Sequence, residues 1–383
     1  MSAPPALARV PAGIVNLADH EAHARTRLDD KAWAYFSGGA ADELTLAANR
    51  RAWDEICLLP RVLQPLAGGH TRVELLGRTL AHPILLAPVA FQRMAHPDGE
   101  LATAHAAAAL GAGLVLSTQS SVALETVAQA MRDEPGRGPL WFQLYLQEDR
   151  GRTLDLVRRA EAAGYEALVL TIDAPVHGAR DRERRAGFTL PAGVRAVNLE
   201  GGPPPAWPSL GPGQSALFDG LLRRAPTWHD VNWLQTQTRL PLLLKGVLHP
   251  EDARQAARLN AAGLVVSNHG GRTLDTTPAT ASVLPRIADA LDGALPLLVD
   301  GGIRRGTDVL KALALGASAV LVGRPYVYGL SNAGAMGVAH VLRLLRDELE
   351  IAMALCGRRE LTLINRDLLW EPTTPKNSAP THG

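Results

Sequence analysis

Residues 267–275 read Ser-Asn-His-Gly-Gly-Arg-Thr-Leu-Asp and follow the apolar run Gly263-Leu264-Val265-Val266. So short an apolar run reads as a buried strand, which sets His269 at its end with Arg272 three residues on. A histidine in that place can act as a base. The arginine can hold an anion beside it, two N–H groups at a time. Gly270 and Gly271 let backbone and ligand come close.

The same kind of position recurs along the chain. Apolar runs end in Ser117-Thr118-Gln119, contain Gln143 and Tyr145, or end in Thr171-Ile172-Asp173 with Arg180 seven residues later. Others end in Lys245, in Asp300-Gly301-Gly302 with Arg304, and in Gly323-Arg324. Each has an ordinary explanation taken singly. Asp173, followed by Ala174-Pro175, suits a turn; Tyr145 suits a core; a strand-end lysine suits solvent. Titratable groups gathered at one rim are harder to read as scatter and mark a candidate site. The glycines and arginines after the last two runs, Gly301-Gly302-Ile303-Arg304 and Gly323-Arg324, suit a phosphate, held by backbone N–H groups and guanidinium forks. Pattern alone does not say which phosphate-tailed cofactor that would be.

The rim needs a scaffold, and the chain supplies a regular one. Candidate strands are 83–88, 114–117, 140–145, 167–173, 241–246, 263–268, 296–301 and 318–324. They are short and apolar throughout, as in a parallel sheet buried on both faces. Between them, residues 99–111, 121–131, 151–163, 250–262, 280–292 and 305–315 carry helical spacing. Ser121, Asp149, Glu251 with Asp252, and Thr307 with Asp308 stand where caps or helix-dipole partners belong. Eight strand–helix units predict an α/β fold, a (β/α)8 TIM barrel over 83–356. The rival is an open doubly wound sheet, disfavoured because no G-x-G-x-x-G follows the first strand. A helical segment lies within 1–65, with helices over 16–27, 31–36 and 42–51. Residues 187–226, with Gly201-Gly202-Pro203-Pro204-Pro205 and Gly211-Pro212-Gly213, form a long loop after the fourth strand, at the face where barrels place their sites. It reads as a lid. Residues 371–383 form a polar tail, and the whole of 1–383 reads as one domain.

Composition narrows the classes. The net charge of +1 leaves no electrostatic footprint for nucleic acid or an anionic membrane. Two cysteines, Cys57 and Cys356, have no metal-ligand spacing, and so few suggest a reducing compartment. No run approaches the ~20 apolar residues of a membrane span, and residues 1–14 lack a secretory pattern. The expectation is a cytoplasmic protein without metal.

Taken together, the motifs make the chain resemble the FMN-dependent L-2-hydroxy-acid oxidase and dehydrogenase family, which includes glycolate oxidase, lactate oxidase and mandelate dehydrogenase. The resemblance runs from Ala32 to Glu360. It is carried by Tyr35-Phe36-Ser37-Gly38-Gly39-Ala40, Ala87-Pro88-Val89-Ala90, the run from Met94 to Glu100, and Gln143-Leu144-Tyr145. Lys245-Gly246-Val247, Ser267 to Arg272, Asp300 to Asp308 and Gly323-Arg324-Pro325 complete it, in the family's order.

The resemblance implies roles. His269 would be the catalytic base, with Asp173 orienting its ring. Tyr35, Arg180 and Arg272 would hold the substrate carboxylate, and Tyr145 would bond the substrate oxygen. Lys245 would sit beside the N1–C2=O edge of FMN. Pro88, Val89, Ala90, Ser117, Gln143 and Thr171 would line the ring and ribityl chain. Gly302, Arg304, Gly323 and Arg324 would take the phosphate, with Ser267, Asp300 and Gly301 completing the cofactor set. Nearby cations would keep His269 neutral at rest. Two departures stand out: Gln119 where the family often carries an aromatic or apolar residue, and Ala174 in place of the more usual threonine. The expected activity is oxidation of an L-2-hydroxy acid to the 2-oxo acid, with oxygen as acceptor and hydrogen peroxide as product. A quinone or other carrier is the alternative acceptor. An FMN-binding barrel isomerase and a non-catalytic sensor are rivals of other classes. Relatives also suggest a homotetramer, with helix 335–356 exposed and available between subunits.

Overall fold

A computed structural model describes residues 9–201 and 209–370. Eight parallel strands close into a barrel: β1 Ile84–Leu86, β2 Gly113–Leu116, β3 Leu140–Leu144, β4 Ala167–Thr171, β5 Leu242–Val247, β6 Gly263–Val266, β7 Leu297–Val299 and β8 Ala319–Val322. Closure runs through β8 and β1, with Val320 opposite Ile84 and Val322 opposite Leu86. All eight expected strands are present, and the open-sheet alternative falls with the closure.

Period-two alternation divides each strand's residues between two cores. Leu85, Val115, Trp141, Val169, Leu243, Val265, Leu298 and Leu321 fill the barrel interior. Their neighbours, such as Leu86, Leu114, Phe142, Leu168, Leu244 and Leu264, pack outward against the helices. The inward parity continues upward into polar residues: Ser117 after Val115, Gln143 after Trp141, Thr171 after Val169, Lys245 after Leu243, Ser267 after Val265, Asp300 after Leu298. The barrel is therefore apolar at its base and polar at its mouth.

A hairpin absent from the sequence reading, Val73–Leu75 with Arg78–Leu80, closes the base. Leu75 and Leu80 join the interior core. Arg78 donates to Glu166 and to the Arg137 carbonyl, just ahead of β4 and β3. Its turn residues, Leu76 and Gly77, both have positive φ, as tight hairpins require. Strands of three residues are too short to show a period.

Helices Glu100–Ala109, Leu124–Arg132, Arg150–Ala163, Pro250–Arg258, Thr280–Leu291 and Gly306–Ala314 fall where periodicity sets them. Asp149 caps as expected, accepting from the Gly151 N–H at 2.8 Å. Ser121 does not. Its hydroxyl donates to the buried Glu100 carboxylate at 2.7 Å, and the helix begins three residues later. The helix expected over 335–356 is the second half of Arg324–Leu355, broken at Ala333 and Gly334. It is not exposed as a whole: Val338, Val341, Leu342, Leu345 and Leu349 are buried, while Met336, Ile351 and Leu355 face solvent. Helix Trp228–Gln237 had no clear period, since only Val231 and Leu234 are buried.

The described part of 187–226 is more ordered than a bare loop. It holds one helical turn at Val197–Leu199 and another at Ala216–Leu221. Buried Asn198 ties it to the barrel, donating to Ser120 Oγ at 2.8 Å and accepting from the Leu124 N–H. Gly202 to Pro205 and the 371–383 tail lie outside the described residues. Cys57 and Cys356 are both free. No described helix is long and apolar enough to cross a membrane.

Candidate active site

The polar mouth of the barrel opens into one cavity of about 1230 Å³. That exceeds the ~300–1,000 Å³ of most ligand pockets, enough for a cofactor with a substrate beside it. Eighteen of the twenty residues given site roles from sequence line it: Tyr35, Pro88, Val89, Ala90, Ser117, Gln143, Tyr145, Thr171, Arg180, Lys245, His269, Arg272, Asp300, Gly301, Gly302, Arg304, Gly323 and Arg324. Asp173 and Ser267 lie behind that lining, hydrogen-bonded to His269 and Lys245 within it.

His269 takes a left-handed backbone, φ 55°, uncommon for a histidine and characteristic of functional turns. Its Nδ1 lies 2.8 Å from Asp173 Oδ1. A carboxylate only accepts, so Nδ1 carries the proton and Nε2 keeps a free lone pair. Burial depresses the His269 pKa, helped by Lys245 and Arg272 and opposed by Asp173. The cations thus act in the direction read from sequence, but burial is the larger cause. Burial would raise Asp173, yet His269 and Lys245 outweigh it and hold the carboxyl below its ordinary value. Asp173 fits over β5 because residue 246 is glycine: a Cβ there, at φ 113°, would fall within 2.4 Å of the Asp173 Cβ.

Lys245 is buried and ion-paired to Asp300 Oδ2 at 3.0 Å. It also donates to Ser267 Oγ at 2.8 Å, and that oxygen accepts the His269 N–H at 3.1 Å. Burial would lower the lysine pKa, but Asp300 and Asp173 reverse this and raise it, so the cation persists. Across the mouth, Gln143 accepts from Ser117 and from the Thr118 N–H, and donates to Thr171 Oγ1 at 3.1 Å. Two strings of hydrogen bonds thus hold the side chains of the mouth.

On the opposite wall Arg272 donates to the carbonyls of Tyr35 and Gly38 and lies over the Tyr35 ring at 5.0 Å. Tyr35 also stacks on Phe188 from the long loop, centroids 5.0 Å apart. Burial raises the hydroxyl pKa values of Tyr145 and Tyr35, so both remain donors. Glu183 bridges Arg180 and Arg272 at 3.2 and 3.1 Å. Sequence reading missed Glu183, because it stands on a helix of only five residues, Asp181–Arg185, too short to show a period.

The glycine–arginine turns after β7 and β8 meet at the cavity's far end. The Arg324 guanidinium donates to the carbonyls of Phe36, Gly270 and Gly38, and burial lowers its pKa to about 10. The other turn is braced from the N-terminal helix Leu44–Glu55: Trp53 Nε1 donates to the Gly301 carbonyl at 2.8 Å and Arg50 to the Gly302 carbonyl at 2.6 Å. Asn49 exchanges amide bonds with Asn268 at 2.9 and 2.8 Å. Neither Asn49 nor Arg50 carried a local signal. Gly302 has φ 84°, and a Cβ there would lie 2.1 Å from the Asn49 carbonyl oxygen. Gly302→Ala should therefore destabilise the fold by more than about 2 kcal/mol and weaken cofactor retention. Thermal unfolding and the FMN content of the purified variant check this; an unchanged melting temperature contradicts it.

The residues fit FMN. Flavin-side and phosphate-side positions share one cavity, and Asp300 Oδ1 is buried without a partner, an acceptor open to a ribityl hydroxyl. Among the described residues no cluster of His, Cys, Asp or Glu could hold a metal ion.

Comparison with known proteins agrees. The family model for FMN-dependent dehydrogenases matches residues 24–371. The L-lactate oxidase of Alicycliphilus denitrificans is 51% identical over 361 residues, covering 94% of this chain and 98% of that protein. Glycolate oxidase 1 of Zea mays is 46% identical, covering 92% and 95%. The crystal structure of mandelate oxidase with (S)-4-hydroxymandelic acid superposes with a TM-score of 0.83 at 45% identity, covering 93% of this chain and 98% of that one. The closed barrel and the family match together make the chain an FMN-dependent oxidoreductase. The chain belongs to the FMN-dependent dehydrogenase family.

Proposed function

We propose that the protein oxidises an L-2-hydroxy acid to the 2-oxo acid and passes the electrons to oxygen, releasing hydrogen peroxide. The observation that carries this is the His269–Asp173 pair at 2.8 Å, opening onto the same cavity as Arg180, Arg272 and Lys245. The named oxidases to which the chain is similar support the reaction class and the acceptor.

FMN would be held along Pro88–Ala90, Ser117, Gln143, Thr171 and Lys245 with its phosphate at Gly302, Arg304, Gly323 and Arg324, and would supply a two-electron oxidant. The residues do the rest. Arg180 and Arg272 grip the carboxylate, with Tyr35 beside them, and so choose which hydrogen faces inward. Tyr145 donates to the substrate oxygen. The substrate loses its hydroxyl proton and its Cα hydrogen with two electrons; His269 Nε2 accepts a proton and Asp173 stabilises the imidazolium. Lys245 offsets negative charge that develops at the cofactor edge, in a site shielded from water. The loop 187–226 acts as a lid, a reading supported by Phe188, Leu190, Leu199 and Leu221 on the cavity wall. Free cysteines suit a cytoplasmic enzyme, and exposed Met336, Ile351 and Leu355 suit assembly into a homotetramer.

The test is anaerobic mixing with L-lactate, glycolate and L-mandelate. At least one should bleach the bound flavin, and admitted oxygen should restore the colour with one peroxide per acid oxidised. A flavin that no hydroxy acid reduces rejects the proposal. The pH profile follows from His269. Only its neutral form accepts a proton, and burial favours that form. The acid limb of kcat/KM should therefore fall below the ordinary histidine value near 6.5; a limb above it contradicts the assignment.

A further inference from the structure

We propose that Glu183 is a specificity-determining counter-anion: it shares the two carboxylate-gripping arginines with the bound acid and restricts the grip to a single negative charge. This rests on the reading of Arg180 and Arg272 as the acid-holding pair.

One oxygen of Glu183 meets both guanidiniums, Arg180 Nη1 at 3.2 Å and Arg272 Nη2 at 3.1 Å. The three side chains are only 14–15% exposed, so solvent screens them weakly. Elsewhere at the mouth Lys245 is matched by Asp300, while Asp173, hydrogen-bonded to the neutral His269 ring, adds a further negative charge against a dianion. What remains at this wall is two guanidiniums and one carboxylate, a net charge of +1. A monoanion neutralises it. A dianion would leave a buried negative charge in excess, which is costly.

The geometry leaves room for a second acceptor. Arg180 Nε is buried without a partner, and Arg180, Glu183 and Arg272 all line the cavity. Arg272 Nη1 is already committed to the Tyr35 and Gly38 carbonyls, so an incoming carboxylate must divide the remaining donors with Glu183. Nor is Glu183 free to swing away. It stands on the short helix Asp181–Arg185, whose Arg182 is anchored to Ser37 Oγ at 3.0 Å and to Glu43.

Glu183→Gln keeps the shape and removes one charge. On the flavin-loaded enzyme, competitive inhibition would be measured with acetate, malonate and acetamide. Removing a weakly screened charge should tighten binding about tenfold per ligand charge. Acetate should gain about tenfold, malonate about a hundredfold and neutral acetamide nothing. KM for the hydroxy acid should fall, and kcat should fall with slower product release. Glu183→Asp, which keeps the charge, should retain the wild-type order of inhibitors. Glu183→Ser should repeat the glutamine pattern and serves where that variant folds poorly. Equal changes for all three ligands, or weaker binding of each, would make Glu183 a structural brace and overturn the proposal. If acetate does not compete with the hydroxy acid in the wild-type enzyme, the arginine pair itself has been misread, and the proposal goes with it.

Discussion

His269→Asn should lower the rate of flavin reduction by roughly 10²–10⁴-fold, the usual weight of a positioned base, while FMN stays bound. Asparagine is the right replacement because position 269 has φ 55°, a conformation asparagine tolerates well. A loss of rate then reports lost chemistry and not a broken turn. The variant also leaves Asp173 buried without its imidazole, and Asp173 Oδ2 already lacks a partner. Stability should fall by about 1–3 kcal/mol for that reason alone. The double variant with Asp173→Asn should recover most of the stability and none of the rate. Anaerobic stopped-flow reduction and thermal unfolding of both variants separate the two effects. A single variant reduced within tenfold of the wild type would remove His269 from the base position.

The scaffold was legible because its signals are local. Eight apolar runs, with helical periods in six of the seven intervals between them, suffice for a barrel. The same parity that buries Val169 and Leu243 points Thr171 and Lys245 at the mouth. Long-range pairings were not legible. Glu183 reaches Arg272 across 89 residues, and Asn49 reaches Asn268 across 219; no period or spacing relates such pairs. The bracing of the Gly301–Gly302 turn by Asn49, Arg50 and Trp53 likewise exists only once the N-terminal helix has docked on the barrel. Ser121 shows the converse failure. Its local pattern is that of a cap, but buried Glu100 needs donors, and satisfying a buried carboxylate outweighs the ~1 kcal/mol of one capping bond.

Lys245→Met should abolish reduction by hydroxy acids and destabilise the protein, and these two losses have different causes. In the folded chain Lys245 pairs with Asp300 at 3.0 Å, both nearly inaccessible. Removing one partner of a buried pair leaves an uncompensated charge, at a cost of about 3–5 kcal/mol. That penalty belongs to Asp300 and not to the chemistry, so Lys245→Met with Asp300→Asn should regain most of the melting temperature, the two side chains then being neutral. The rate should not return. The lysine pKa is raised by its carboxylate neighbours, so it stays charged near neutral pH, and on the proposed reading it is the cation that would offset negative charge on the reduced cofactor. Sulfite binding gives a second reading free of substrate, because adduct formation also places negative charge there. The double variant should bind FMN, melt close to the wild type and lose sulfite affinity by at least tenfold, the weight of about 1.4 kcal/mol of charge stabilisation. Should that variant bind sulfite as tightly as the wild type, Lys245 would be a structural partner of Asp300 alone, and the charge that stabilises the reduced cofactor would have to be sought at Arg272 or the helix ends.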